Sequence, residues 1–200
     1  MSEVLEFWFE FGSSYSYPAA FRVARLVDEE DLRVVWRPFL LGPIFRAQGL
    51  GDSPFNAIPA KGRYMWRDLE RICSELGLPF RRPSVFPRNG LLAARVATAH
   101  AEAPWLPQLV VDVYRANFAE DREISDPDVL RELLTRRDLD AGSALERAED
   151  PGTKAELRTH TERAQQLGIF GAPTFRVGNE IFWGGDRLDT ALRWLRRATT

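Results

Sequence analysis

Four residues, Ser13-Ser14-Tyr15-Ser16, stand where an apolar run over residues 4–11 breaks at Gly12, and Tyr17-Pro18 just after them signals a helix start. A strand that ends in a helix N-terminus leaves backbone N–H groups unpaired, and the helix dipole adds positive potential there. Hydroxyls at such a junction favour an anion, a thiolate included. Taken alone, the serines read first as capping residues, the commonest use of serine at a helix start, with Ser16 as the cap itself. Two further blocks carry the same double reading. In Gly168-Ile169-Phe170-Gly171-Ala172-Pro173-Thr174-Phe175, Pro173 precedes a strand, and a cis bond there exposes the preceding backbone N–H and C=O. In Phe182-Trp183-Gly184-Gly185-Asp186, the aspartate either caps the last helix or receives a ligand's ammonium group. All three blocks fall at the ends of predicted strands of one sheet, where α/β folds form their ligand crevices, and this coincidence favours one site over three turns.

The elements that must position these blocks follow from periodicity. Residues 5–11 are aromatic and partly alternating, which predicts a first strand ending at Gly12. Ala20, Phe21, Ala24 and Val27 recur at helical spacing within residues 18–30, with Pro18 suited to a first turn. Residues 32–37 read as a second strand closed by Pro38, so the β-α-β order predicts a parallel pair with a right-handed crossover. From residue 41 to 168 the pattern is helical, with breaks at 49–59, 78–89, 103–107 and 150–152. Helices are expected over 61–76, 90–101, 107–119, 126–136, 141–148 and 153–166. Then Thr174–Val177 and Glu180–Trp183 flank Gly178-Asn179 as a hairpin, and Asp186 is expected to cap a last helix with Asp189 in the capping-box position. Neither αβ piece can bury its faces without the other. The expected fold is therefore α/β, one sheet domain of residues 1–42 and 167–200 interrupted by an all-helical insertion of residues 43–166.

Composition excludes several classes of function. With 44% hydrophobic and 12% aromatic residues in 200, the chain can bury one good core and has no disorder signature. A net charge of −2 gives no field to attract nucleic acid or an acidic membrane. The opening Met1-Ser2-Glu3-Val4 lacks a basic segment followed by an apolar one, and no uncharged run approaches a membrane span, so a cytoplasmic protein is expected. The single Cys73 forms no internal disulfide, and with His100 and His160 it makes no usual zinc site; no metal is expected. Met65, Leu69, Ile72 and Leu76 put Cys73 on the apolar face of its helix, as a small hydrophobe. Both histidines read as surface or cap residues, and the arginines of residues 80–88 as the rim of the cleft.

The three blocks in this order, together with Pro59-Ala60-Lys61-Gly62-Arg63-Tyr64, resemble the DsbA-like branch of thioredoxin-fold proteins that contains 2-hydroxychromene-2-carboxylate isomerases and kappa-class glutathione transferases. The resemblance spans nearly the whole chain, and it implies a thioredoxin-like domain with a large helical insertion. Redox members of the superfamily carry two cysteines at the junction, which here are Ser13 and Ser16. It further implies glutathione as cofactor, with Ser13 donating its hydroxyl to the glutathione sulfur. Ala172 and Pro173 would then pair their backbone with the cysteinyl peptide, while Gly185 and Asp186 receive the γ-glutamyl end and Lys61 meets the glycyl carboxylate. An asparagine contact from the loop before residue 59 falls on Asn56 or, in a gapless match, on Asp52. Many relatives have proline where this chain has Ser14. The implied activity is a glutathione-dependent isomerase acting on a small aromatic or conjugated carboxylate, in a homodimer. A kappa-like transferase and a non-catalytic glutathione-binding or partner-binding protein remain the alternatives.

Overall fold

The computed structural model describes residues 4–30 and 32–198; the first three residues, Asp31 and the last two, and with them the opening segment and the outer ends of the expected sheet-domain pieces, lie outside it. Strand β1 (Leu5–Phe9) lies at the centre of a four-stranded sheet in the order β2-β1-β3-β4. It pairs in parallel with β2 (Val34–Pro38), Phe7 opposite Trp36, after the crossover helix α1 (Ser16–Glu30). On its other side β1 runs antiparallel to β3 (Thr174–Val177), which forms the expected hairpin with β4 (Glu180–Trp183). Alternation along β1 decides its two faces. Leu5, Phe7 and Phe9 are fully buried in the main core with α1 and the last helix, while Glu6 and Trp8 point to the opposite face.

Between β2 and β3 the chain is helical: α2 (Leu41–Ala47), α3 (Pro54–Ala57), α4 (Pro59–Glu75), α5 (Leu91–Ala99), α6 (Leu106–Phe118), α7 (Pro127–Thr135), α8 (Ala141–Glu149) and α9 (Pro151–Gln166). The six expected helices form within two residues of their predicted ends. Asp126 and Asp140 cap α7 and α8 by accepting the N–H groups of Asp128 and Ser143. The break at 49–59 contains one more short helix than expected, α3, which Ser53 caps through the Phe55 N–H. A 3-10 turn (Gly185–Arg187) leads into α10 (Leu188–Ala198). Among the described residues no helix is long and apolar enough to cross a membrane.

Aromatic packing joins the helices to the sheet. Phe7 stacks on Phe175 across β1 and β3 with ring centroids 5.4 Å apart, and Trp36 meets Phe7 edge-on at 5.2 Å. From α6, Tyr114 packs on Phe11 at 5.3 Å and Phe118 on Tyr17 at 5.6 Å. The main apolar cluster is thus continuous from the sheet through α1, α5, α6, α7, α8 and α10. Burial pushes the Cys73 thiol up to about 11, in keeping with a packing role. The arginines of residues 80–88 do not simply rim a cleft. Arg88 is buried and donates to Asn117, Ser84 and Asp121, with the Asp121 carboxylate 2.5 Å away. Arg82 lies over Trp66. Burial made pairing obligatory for Arg88, and a local charge pattern cannot show burial.

Helices α3 and α4 approach so closely that a Cβ on Gly62 would lie 2.3 Å from the Phe55 carbonyl oxygen. Gly62→Ala raises helix propensity by up to about 1 kcal/mol, yet the clash should dominate and leave the protein about 1–3 kcal/mol less stable. Urea denaturation, read as a lower midpoint at unchanged slope, checks this.

Candidate active site at the end of β1

Where β1 ends, the chain turns through Phe11 and Gly12 and enters α1 at Ser16. The backbone of this turn is more fully paired than expected. The N–H of Ser13 donates to the Glu10 carbonyl at 2.9 Å, that of Ser16 to Ser13 at 3.2 Å and that of Tyr17 to Ser14 at 3.3 Å. Positive potential at the turn therefore comes chiefly from the dipole of the 15-residue α1. Because the first turn closes on these carbonyls, Ser16 is not the cap it was expected to be; its Oγ is buried and makes no cap hydrogen bond. Ser14 is also buried, its hydroxyl against the Met65 sulfur at 3.0 Å. Of the three serines only Ser13 is partly exposed.

The three sequence blocks do meet. Ser13 Oγ donates to the Ala172 carbonyl at 2.9 Å, directly before the cis Ala172-Pro173 bond. The Pro173 carbonyl in turn accepts the Gly184 N–H at 2.9 Å. Gly184 has φ +109°, and a Cβ there would meet Asp186 Oδ1 at 2.5 Å, so the aspartate folds back over this glycine. Gly185 lies beside Ala19 and the Tyr15 carbonyl, and its own carbonyl accepts Arg22 Nη1 at 3.0 Å.

Asp186 is not a helix cap. It sits inside the 3-10 turn, which makes no side-chain cap hydrogen bond, and its exposed carboxylate lies 3.3 Å from Arg187. Asp189 is likewise engaged elsewhere, in a 2.7 Å ion pair with Arg22 of α1. Tertiary contact with α1 outweighs the local capping pattern.

Asn56 lies in α3 and Lys61 in the first turn of α4, two helices that form a wall beside the Ser13 turn. Asn56 Nδ2 donates to both Asp52 Oδ2 and the Phe86 carbonyl, each at 3.1 Å, so the two candidate contact residues hold one another. Lys61, exposed in the first turn of α4, has Nζ 5.9 Å from the Phe55 ring centre. The wall is joined to the Ser13 turn by Tyr15, whose ring lies 5.9 Å from that of Phe55 and whose hydroxyl donates to Asp68 at 3.0 Å. Burial and the Asp68 carboxylate hold the Tyr15 phenol protonated far above neutrality. Tyr17 is core, its hydroxyl donating to the Pro79 carbonyl.

One residue at this site was not foreseen. The Glu10 carboxyl lies under the turn, accepting the backbone N–H groups of Gly12 and Ser13, and burial raises it to about 7. Room for it exists because residues 12 and 90 are glycines: a Cβ on Gly12 would lie 3.1 Å from Glu10 Oε2, and one on Gly90 3.3 Å from Oε1. The available signal was a second acid, after Glu6, in the aromatic run of residues 5–11, three residues before Ser13. His160, expected at the surface, is instead buried on α9 against the far face of the sheet. Among the described residues no group of three or more His, Cys, Asp or Glu is placed to hold a metal ion.

The family model of the DSBA-like thioredoxin domain matches residues 4–196. A 2-hydroxychromene-2-carboxylate isomerase of Sphingobium xenophagum is 30% identical over 191 residues, covering 94% of this chain and 96% of its own. Human glutathione S-transferase kappa 1 is 25% identical over 203 residues, covering 94% and 89%. The solved structure of a 2-hydroxychromene-2-carboxylate isomerase superposes with a TM-score of 0.83 over 98% of this chain and 95% of that one; at 22% identity this is a likeness of fold.

A carboxyl whose pKa rises from 4.5 to about 7 on folding binds its proton more tightly in the native state. Its cost is absent below the unfolded value, grows as pH rises between the two, and is constant above the folded value. Glu10→Gln should therefore stabilise the protein by roughly 1–3 kcal/mol above neutrality and leave it nearly unchanged in acid. Urea midpoints followed against pH test the sign, and a gain confined to acid would refute it.

Proposed function

Because the chain belongs to the 2-hydroxychromene-2-carboxylate isomerase family of DSBA-like thioredoxin-domain proteins, related to the kappa glutathione transferases, we propose that it is a glutathione-dependent isomerase of a small aromatic or conjugated carboxylate. The observation that carries this reading is the 2.9 Å hydrogen bond from Ser13 to the carbonyl before cis-Pro173, at the N-terminus of α1, in a chain with no cysteine at positions 13 or 16. This donor set suits a sulfur anion brought by a cofactor and cannot perform dithiol exchange.

Glutathione, when bound, supplies the thiolate that adds to a conjugated carbon of the substrate and later leaves it. The chain's own residues do the rest. Ser13 turns its hydroxyl from the Ala172 carbonyl to the sulfur, and with the α1 dipole it lowers the thiol pKa. Ala172 and Pro173 offer backbone groups to a peptide laid along the start of β3. Gly185 and Asp186 offer, at the turn into α10, N–H groups for a carboxylate and a carboxylate for an ammonium group. Lys61 is a cation for the remaining carboxylate, and Asn56 and Asp52 bound the same wall. Tyr15, neutral near physiological pH, adds a half-buried aromatic wall and presents no second charge to the substrate.

Calorimetry with glutathione, followed by turnover of 2-hydroxychromene-2-carboxylate, tests the proposal. Ser13→Ala should raise the pKa of bound glutathione by about one unit, seen as lost thiolate absorbance, and reduce turnover at least about tenfold. Glutathione should be recovered unchanged. Stoichiometric loss of glutathione would instead make the protein a kappa-like transferase, and binding without turnover a non-catalytic glutathione-binding protein.

A further inference from the structure

A cavity of about 290 Å³ lies on the face of the sheet turned away from α1, between β1, β2 and β3 on one side and α9 on the other. It shares no lining residue with the Ser13 cleft. Its charged lining is three arginines, Arg37, Arg163 and Arg176, against two carboxylates, Glu6 and Glu162. Glu6 is already divided between Arg176 at 3.0 Å and Arg37 at 3.9 Å. Arg163 has no acidic partner among the described residues, and the Arg176 Nε donor is buried without an acceptor. His160 adds no charge near neutrality, since burial and then the nearby Arg37 lower its pKa. A partly enclosed space with an excess cation lacks an anionic acceptor.

The rest of the lining says what should accompany the anion. Leu167, half-buried, gives an apolar wall beside the guanidinium groups, backed by Trp8, whose ring is buried and whose Nε1–H donates to Glu6 at 3.1 Å. A fully hydrated inorganic ion would leave that wall unused, and a cavity of this size admits only a small molecule. We propose that this cavity binds a small organic monoanion, an aromatic or apolar body with one carboxylate, which Arg163 and Arg176 receive while the body lies against Leu167.

Sodium benzoate, with neutral benzamide and inorganic phosphate as comparisons, is the probe for calorimetry on the full chain. Benzoate should bind at millimolar concentration or below, and benzamide and phosphate far more weakly. Ser13→Ala should bind benzoate as the natural sequence does, which separates this site from the Ser13 cleft. Arg163→Ala, at an exposed position whose loss does not threaten folding, should weaken benzoate about tenfold or more, and Arg176→Gln likewise. The proposal fails if benzoate does not bind, if benzamide binds as well, if phosphate binds more tightly, or if Arg163→Ala leaves the affinity unchanged. None of these outcomes bears on glutathione binding.

Discussion

Beyond Phe9 the chain leaves the sheet while still inside the protein, and the carbonyls of Glu10 and Phe11 must find donors outside the ladder. Helix α6 supplies them. Tyr114 donates its hydroxyl to the Glu10 carbonyl at 2.8 Å and Asn117 its amide to the Phe11 carbonyl at 3.1 Å, while Arg88 donates to the Asn117 side-chain oxygen at 3.1 Å. The Glu10 carbonyl also accepts the Ser13 N–H, so the position of Ser13 is set by a residue of α6 more than a hundred positions away. The helical block therefore does more than cover the sheet: it completes the hydrogen bonding of the turn that carries the candidate catalytic hydroxyl.

The same turn explains a tension in its charges. A thiolate is favoured by positive potential, yet Glu10 lies beneath the Ser13 N–H. Burial resolves the conflict in part by raising the Glu10 carboxyl to about 7, so that near neutrality it carries only part of a negative charge. At the other end of the site, Arg22 binds both Asp189 and the Gly185 carbonyl, locking α1 to the entry of α10. One helix thus fixes both ends of the cleft, with Ser13 at its start and Arg22 in its second turn.

The two faces of β1 look onto different surroundings. Phe7 and Phe9 build the apolar core that supports the cleft, whereas Glu6 and Trp8, one position out of phase, face a charged cavity under α9.

Much of this was legible from local pattern. The aromatic alternation of residues 5–9, the Gly178-Asn179 hairpin and the apolar spacing of the helices reflect short-range geometry that acts over a turn or a strand pair, and the hydrogen bond from Ser13 to Ala172 joins two of the blocks that the pattern placed at strand ends. Burial was not legible. Whether Asp186 caps a helix or faces solvent, whether Arg88 rims a cleft or bridges Asn117 and Asp121, and whether Glu10 is a surface acid or a carboxyl raised to neutrality depend on what distant segments bring to each charge. Local spacing determined which elements form and which residue types reach the site; tertiary structure alone decided which polar groups lose their water, because that cost depends on every atom packed around them.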